Sequence, residues 1–351
     1  MNQRNSSSPS WRHSSIYRHR RWLVWTVIAV GAASGGLAAV AKTGSLNLTF
    51  AQGSPAPLLE VRRHTHWVRA MAVGPDGRWA ATAGDDKLVN LWDLQGLAFM
   101  RALPAQEDGL RALAIDARGQ WLASAGRDGC IVLWQEQGRT APRRWHAHGS
   151  FINALAFMPD GKRLLSVGFD KTLRVWDVET GKPLAAYDVR PHGAMALALW
   201  PDGSRVVVGN HRTVEVLSLE NGRRLARLEG HGNWVFALAI SADGKQVLSG
   251  GYDRSARLWD ADTGRQVSEL PHPDSVNAVA FVPTAAACVT GCSDGRLRLW
   301  DLQSRQVIWS PDPENDTPVN ALHVSADGRR VAWIGGDSKL RVWSLPELRR
   351  Q

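Results

Sequence analysis

The dipeptide Trp-Asp, or a relic of it, returns along this chain at a nearly constant interval. The segments that end in it are LVNLWD (88–93), CIVLWQ (130–135), TLRVWD (172–177), TVEVLS (213–218), SARLWD (255–260), RLRLWD (296–301) and KLRVWS (339–344). The tryptophans stand at 92, 134, 176, 259, 300 and 343, with Leu217 in the remaining slot. Successive steps are 42, 42, 41, 42, 41 and 43 residues. A period this steady over seven copies belongs to a repeat architecture, in which each copy is one supersecondary unit stacked on its neighbours.

Each copy has the same internal order. A tight-turn signal precedes the Trp: PDG (75–77), ARG (117–119), PDG (159–161), PDG (201–203), ADG (242–244) and ADG (326–328). The sixth copy has PTAA (283–286) there instead. An alternating run such as VRAMAV (68–73) leads into the turn, and a second run such as KQVLSGG (245–251) leaves it. An Asp-containing turn then precedes the run that ends in Trp. Short runs bounded by Gly, Asp, Asn and Pro read as strands. A weaker fourth run follows, as in KPLAAYDV (182–189) and RRLARLEG (223–230). Four antiparallel strands per unit of about 42 residues predict an all-β fold, a seven-bladed β-propeller.

On these motifs the chain resembles the WD-repeat family over residues 58–345. The resemblance implies a buried tetrad in each blade: a His leading the first strand, a Ser or Thr in the second, an Asp before the third, and the Trp. Four copies match in full: His64, Thr82, Asp86, Trp92; His148, Ser166, Asp170, Trp176; His231, Ser249, Asp253, Trp259; and His272, Thr290, Asp294, Trp300. The second copy has Gln106 with Ser124, Asp128 and Trp134. The seventh has Asn315 and Trp333 with Asp337 and Trp343, and the fourth has Arg190, Val207, His211 and Leu217. The tetrad has a structural purpose, because buried polar groups must find partners and these four satisfy one another. Ser, His and Asp also make hydrolase triads. A catalytic site, however, needs to occur once, and this trio, with Ser or Thr as its hydroxyl, recurs with a Trp in four places.

The chain ends soon after Trp343, so the seventh blade lacks a fourth strand of its own. The segment PLLEVRRH (57–64) precedes the first copy and aligns with the fourth strands of others. Residues 58–63 are therefore expected to complete the last blade and close the ring, which removes an exposed edge.

The first 57 residues differ in kind. Residues 1–21 hold Arg4, Arg12, Arg18, Arg20 and Arg21 and no acid; residues 22–41 carry no charge. Twenty apolar or small residues suffice to cross a bilayer. A preceding Arg cluster orients the segment with its N-terminus in the cytoplasm. It is either a retained anchor or a signal peptide cut after Ala39-Val40-Ala41. The pair Arg20-Arg21 weakly resembles a twin-arginine signal. Residues 42–57 read as a flexible linker and 58–351 as the propeller. The expected location is periplasmic, or the outer face of the inner membrane.

Residues 1–41 contribute five of the net +9 charges, leaving the propeller at +4. The high pI is thus a property of the leader and does not argue for nucleic-acid binding. Cys130, Cys288 and Cys292 are expected to be small buried thiols, since Cys288 and Cys292 are too far apart along one strand for a disulfide. The pairs His64-x-His66 and His146-x-His148 lack clustered carboxylates, and no metal or cofactor is expected. No Gly-rich phosphate loop, G-x-S-x-G or H-E-x-x-H occurs.

Function is then expected on a rim of loops. One rim collects Trp67, Phe151, Phe169, Trp234 and Tyr252, with Arg127 beside them. Arg69, Arg111, Asn153, Asn277 and Asn320 are expected just inside, near the channel mouth. Aromatic and Arg anchors favour protein interfaces. The expected function is non-catalytic: a monomeric interaction platform that binds another envelope or membrane protein through this rim. Two alternatives remain: a small-ligand or catalytic propeller using the channel mouth, and a cytoplasmic scaffold tethered to the membrane.

Overall fold

The computed structural model describes residues 57–104, 106–189, 191–312 and 316–350, together with the dipeptides Val27–Ile28 and Leu46–Asn47. The described chain is almost wholly antiparallel β-sheet, arranged as four-stranded sheets that fit a β-propeller.

The first unit shows the pattern. Its strands are Val68–Val73, Trp79–Gly84, Val89–Asp93 and Ala98–Leu103, hydrogen-bonded in chain order. The inner three strands are buried, whereas the outer one alternates exposed and part-buried residues. That gradient follows the sequence: apolar runs fill the inner strands, and the fourth turns Ala98, Met100 and Ala102 to solvent. The turn between the first two strands needs a left-handed residue, and Gly77 supplies it at φ 67°.

Units four and five are joined, because Arg224–Ile240 runs as one strand from the edge of one into the heart of the next. The seventh unit has three strands of its own: Val319–Val324, Arg330–Gly335 and Lys339–Ser344. Its fourth is Leu59–Arg62, with Val342 opposite Leu59 and Lys339 opposite Arg62. Glu60 on that strand meets Arg341 at 3.4 Å and also Lys339. The innermost strands touch one another in cyclic succession, and Val319–Val324 touches Val68–Val73.

The apolar core is divided into clusters that lie between neighbouring units. One joins Ala70, Ala81 and Leu91 of the first unit to Leu110, Leu113 and Leu122 of the second. Each sheet therefore buries both faces against its neighbours.

Three of the five residues expected at the channel mouth are fully buried asparagines that tie units together. Asn153 Nδ2 donates to the Ala194 carbonyl of the next unit at 2.8 Å. Asn277 Nδ2 donates to Val319 at 3.1 Å and Asn320 Nδ2 to Val68 at 2.6 Å. All three side chains are buried between units. A neighbouring unit leaves a backbone carbonyl within reach, and a buried amide takes it rather than face solvent.

The cysteines are free and buried. Burial pushes the Cys292 thiol up to about 12 and the Cys288 thiol up further. The segments 1–21, 22–41 and 42–57 lie outside the described residues, apart from the two dipeptides and Pro57. Val27–Ile28 bridges in parallel to Ala237–Leu238. Among the described residues no helix is long and apolar enough to cross a membrane.

Candidate functional site

The tetrad residues lie where the second-strand hydroxyl meets both the His and the Trp. In the fifth unit Trp259 Nε1 donates to Ser249 Oγ at 2.8 Å, and Ser249 Oγ meets His231 Nε2 at 2.7 Å. His231 Nδ1 donates to the Asp253 carboxylate at 2.9 Å. Gly232 N–H and the Ser255 hydroxyl add bonds of 2.8 and 3.0 Å to that carboxylate. Burial alone would raise Asp253, but His231 and the two further donors outweigh it and hold the carboxyl at about 2.

The first and third units share this wiring. His64 bonds Asp86 at 2.8 Å and Thr82 at 2.8 Å, and Trp92 donates to Thr82 at 2.8 Å. His148 bonds Asp170 at 2.9 Å and Ser166 at 2.6 Å, and Trp176 donates to Ser166 at 2.8 Å. In the second unit the Gln106 amide meets Ser124, and Trp134 donates to the same hydroxyl at 3.2 Å.

The sixth unit departs from the expected tetrad. His272 still meets Thr290 at 2.8 Å, and Trp300 donates to Thr290 at 3.0 Å. His272 Nδ1, however, donates to the Leu270 carbonyl at 2.9 Å rather than to Asp294. Asp294 is held instead by Arg298, whose two terminal nitrogens reach the carboxylate at 3.1 and 2.5 Å. Two residues explain the change. Pro273 replaces the Gly232-type backbone donor and has no N–H. Arg296 stands where the fifth unit has Ser255, a hydroxyl that accepts from Arg257 Nε at 3.2 Å and holds that arginine in place. Without such a hydroxyl Arg298 closes on the aspartate. The seventh unit repeats this, with Lys339 in that place and Arg341 on Asp337 at 3.1 and 2.5 Å.

The expected rim residues do converge. Phe151 and Phe169 have ring centroids 6.0 Å apart, and Phe169 and Trp234 6.4 Å. Trp67, Phe151 and Tyr252 are 36, 37 and 46% exposed, a high fraction for aromatics. Phe169 and Trp234 are only part-exposed, because they pack on buried Met195 and Phe236. Tyr252 stands edge-on to Phe236 at 5.8 Å. Arg69 and Arg111 stack on Trp67 and Phe151 at 5.1 and 5.0 Å. Arg69 and Arg127 both hold Asp85, at 2.5 and 3.2 Å.

Sequence reasoning missed part of this rim. His192 and His211 lie 5.0 Å apart, and both stack against Trp234, at 5.8 and 5.0 Å. Burial, with the charges of His192 and Arg212, lowers the His211 pKa. The signal was present: His211 occupies the aspartate slot of the one unit that has also lost its hydroxyl and its Trp, so it was free for other use. A second signal lies in each innermost strand, in the residue before an alanine found in all seven units. It reads Arg69, Arg111, Asn153, Met195, Phe236, Asn277 and Asn320. Cationic residues thus occupy two adjacent units, and apolar residues occupy two others.

Two surface depressions of about 390 and 370 Å³ lie at the opposite end of the strands. The first is lined by Arg163, Arg205 and Glu220 among others, and the second by Trp121, Arg143 and Glu179. Neither includes a tetrad residue or a rim aromatic. Among the described residues no group of three or more His, Cys, Asp or Glu is placed to hold a metal ion.

The family model described as "WD domain, G-beta repeat" matches residues 56–93, 98–135, 140–177, 222–260, 264–301 and 307–344. The unmatched stretch falls on the fourth unit, where His211 and Leu217 replace the Asp and the Trp. A comparison with curated proteins finds no match.

Proposed function

Because the chain belongs to the WD-repeat family, we propose that it is a non-catalytic platform holding a partner protein against one rim of a closed seven-bladed propeller. WD repeats generally mediate protein–protein interaction, which supports a binding role. The observation that carries the reading is the aromatic and guanidinium arc from Trp67 through Phe151 to Tyr252. It leaves large rings part-exposed beside arginines, the composition of interface anchors. Closure is supported by the cyclic contacts of the innermost strands and by the pairing of Leu59–Arg62 with the last unit. A catalytic reading gains nothing from the His, Ser or Thr, and Asp residues, because they are bonded to one another in three separate units.

The platform is proposed to stand on the outer side of a bacterial-type inner membrane, bound to another envelope protein. The support is the Arg-rich, acid-free start of the chain and the uncharged residues 22–41.

Trp234→Ala tests the rim. Capture of the partner from envelope fractions is expected to weaken at least tenfold, as for an interface anchor. The melting temperature is expected to move by only a few degrees, since the ring is partly exposed. Unchanged capture with a large drop in melting temperature would assign Trp234 to packing alone.

A further inference from the structure

Resting on the rim reading, we propose that the segment it takes is acidic, with a carboxylate at the Arg111–Arg127 cluster and an apolar side chain beside Trp234. The starting point is Arg111. Its side chain is only 5% exposed, yet among the described residues it forms no ion pair. Its Nε has no hydrogen-bond partner, and its Nη1 donates to Asn153 Oδ1 at the long distance of 3.5 Å. Buried guanidinium groups normally sit on carboxylates, because a lone buried charge is costly.

The surroundings add to the deficit. Burial lowers the Arg111 pKa to about 10, and the like charges of Arg69 and Arg127 lower it with burial. Asp85 and Asp108 oppose that trend. Asp85 is already shared by Arg69 and Arg127. Asp108 bonds the Gly109 N–H at 2.6 Å. Three guanidinium groups thus face two carboxylates, and the one without a carboxylate of its own is the most buried. Arg127, 33% exposed at its side chain, opens the cluster to solvent. An incoming carboxylate would relieve the repulsion and make charge-assisted bonds, about twice as strong as neutral ones. Guanidinium suits that role better than ammonium, since it can grip both oxygens.

The apolar half follows from geometry. Phe151 lies 5.0 Å from Arg111, Phe169 6.0 Å from Phe151, and Trp234 6.4 Å from Phe169. An extended peptide rises roughly 3.3 Å per residue, so about five residues cover this path. A basic segment would meet the arginines with like charge. An uncharged one would leave the cluster as uncompensated as before.

The test is an array of immobilised eight-residue peptides of varied charge and aromatic content, probed with the full chain. Bound peptides are expected to combine Asp or Glu with an aromatic or large aliphatic residue within about five positions. Remaking the best peptide with Asn or Gln in place of its acids is expected to weaken it at least tenfold. Arg127→Gln, at a part-exposed position that should not perturb folding, is expected to weaken the acidic peptide five- to tenfold and leave its amide version unchanged. Arg111→Gln, checked for a native melting curve, is expected to do the same more strongly. Equal affinity for acid and amide versions, or a bound set that is basic, overturns the proposal. So does a failure of any peptide to bind. If uncharged peptides bind and Trp234→Ala abolishes that binding, the rim reading stands and the acidic partner falls. Binding indifferent to both Trp234→Ala and Arg127→Gln removes both.

Discussion

Units five and six carry matching tetrads at the same spacing, with Ser249 in one and Thr290 in the other, but the histidine of one serves a carboxylate and the histidine of the other a backbone carbonyl. In unit five, Gly232 N–H and Ser255 fix Asp253 from two sides, and Ser255 also holds Arg257. In unit six, Pro273 and Arg296 remove both devices, and Arg298 captures Asp294. A tetrad is thus decided by residues outside it. An imidazole and a guanidinium reach for one carboxylate. In units three and five a hydroxyl keeps the arginine at 3.4 and 3.9 Å while the histidine holds the closer bond. Without that hydroxyl charge assistance draws the arginine in.

The largest expected effect concerns pH. Burial is the main cause that holds His272 down at about 4, against a slight opposite pull from the Leu270 carbonyl. The unfolded chain binds that proton at about 6.5, so between pH 6.5 and 4 it carries more protons than the folded one. Stability linked to His272 is complete above pH 6.5 and falls as pH drops toward 4, by about 3 kcal/mol. His272→Gln should place an amide on Thr290 as Gln106 does on Ser124, with no group to titrate. Urea unfolding at pH 7 and pH 4 is expected to show a smaller loss in the variant. Equal losses would mean that His272 does not have the neutral wiring described.

The next effect is smaller. His231→Ala removes the shared partner of Asp253 and Ser249 and is expected to cost about 2 kcal/mol at pH 7. His272→Ala breaks only neutral bonds, and about 1 kcal/mol is expected. Urea midpoints give the ranking, and the reverse order would break the contrast between the two units.

The smallest effects sharpen the mechanism. Ser255→Ala frees Arg257 to close on Asp253, converting unit five toward unit six at a cost of about 1 kcal/mol. Arg296→Thr works in the other direction, with a gain of a few tenths of a kcal/mol expected, since Pro273 still withholds its N–H. Imidazole nitrogen chemical shifts are the sensitive readout. Ser255→Ala should move the His231 signals, and an unmoved spectrum would show that the hydroxyl does not control the arginine.

The all-β architecture was legible because its period is written in large residues. A Trp every 42 or so positions, a Gly-bearing turn and an Asp-bearing turn leave few foldings open. The pairing partner of the last unit was legible too, since PLLEVRRH has the look of an outer strand out of place. The wiring of unit six was not read, although Pro273 and Arg296 were in view. Counting tetrad residues says nothing about which donor reaches a carboxylate first. The burial of Asn153, Asn277 and Asn320 was not legible from the strands that carry them. Only the neighbouring unit's carbonyl reveals the reason for burial. The rim aromatics were found by position, but the packing of Phe169 and Trp234 on Met195 and Phe236 required knowing which units adjoin.

The pairing of Leu59–Arg62 with the final unit also has a consequence in time. Glu60 and Lys339 are 279 positions apart. On a ribosome the outer strand of the last sheet is made before its partners, which emerge after all six intervening units. Closing so long an unstructured loop would cost about 4 kcal/mol more entropy than closing a hairpin. The six units between them remove most of that cost once they have formed, because they bring the two ends side by side. Joining the strands is therefore expected as the late step of assembly, waiting on synthesis of the chain through Ser344. Until then the early strand and the edge it will cover are both open to chaperones, or to a second chain.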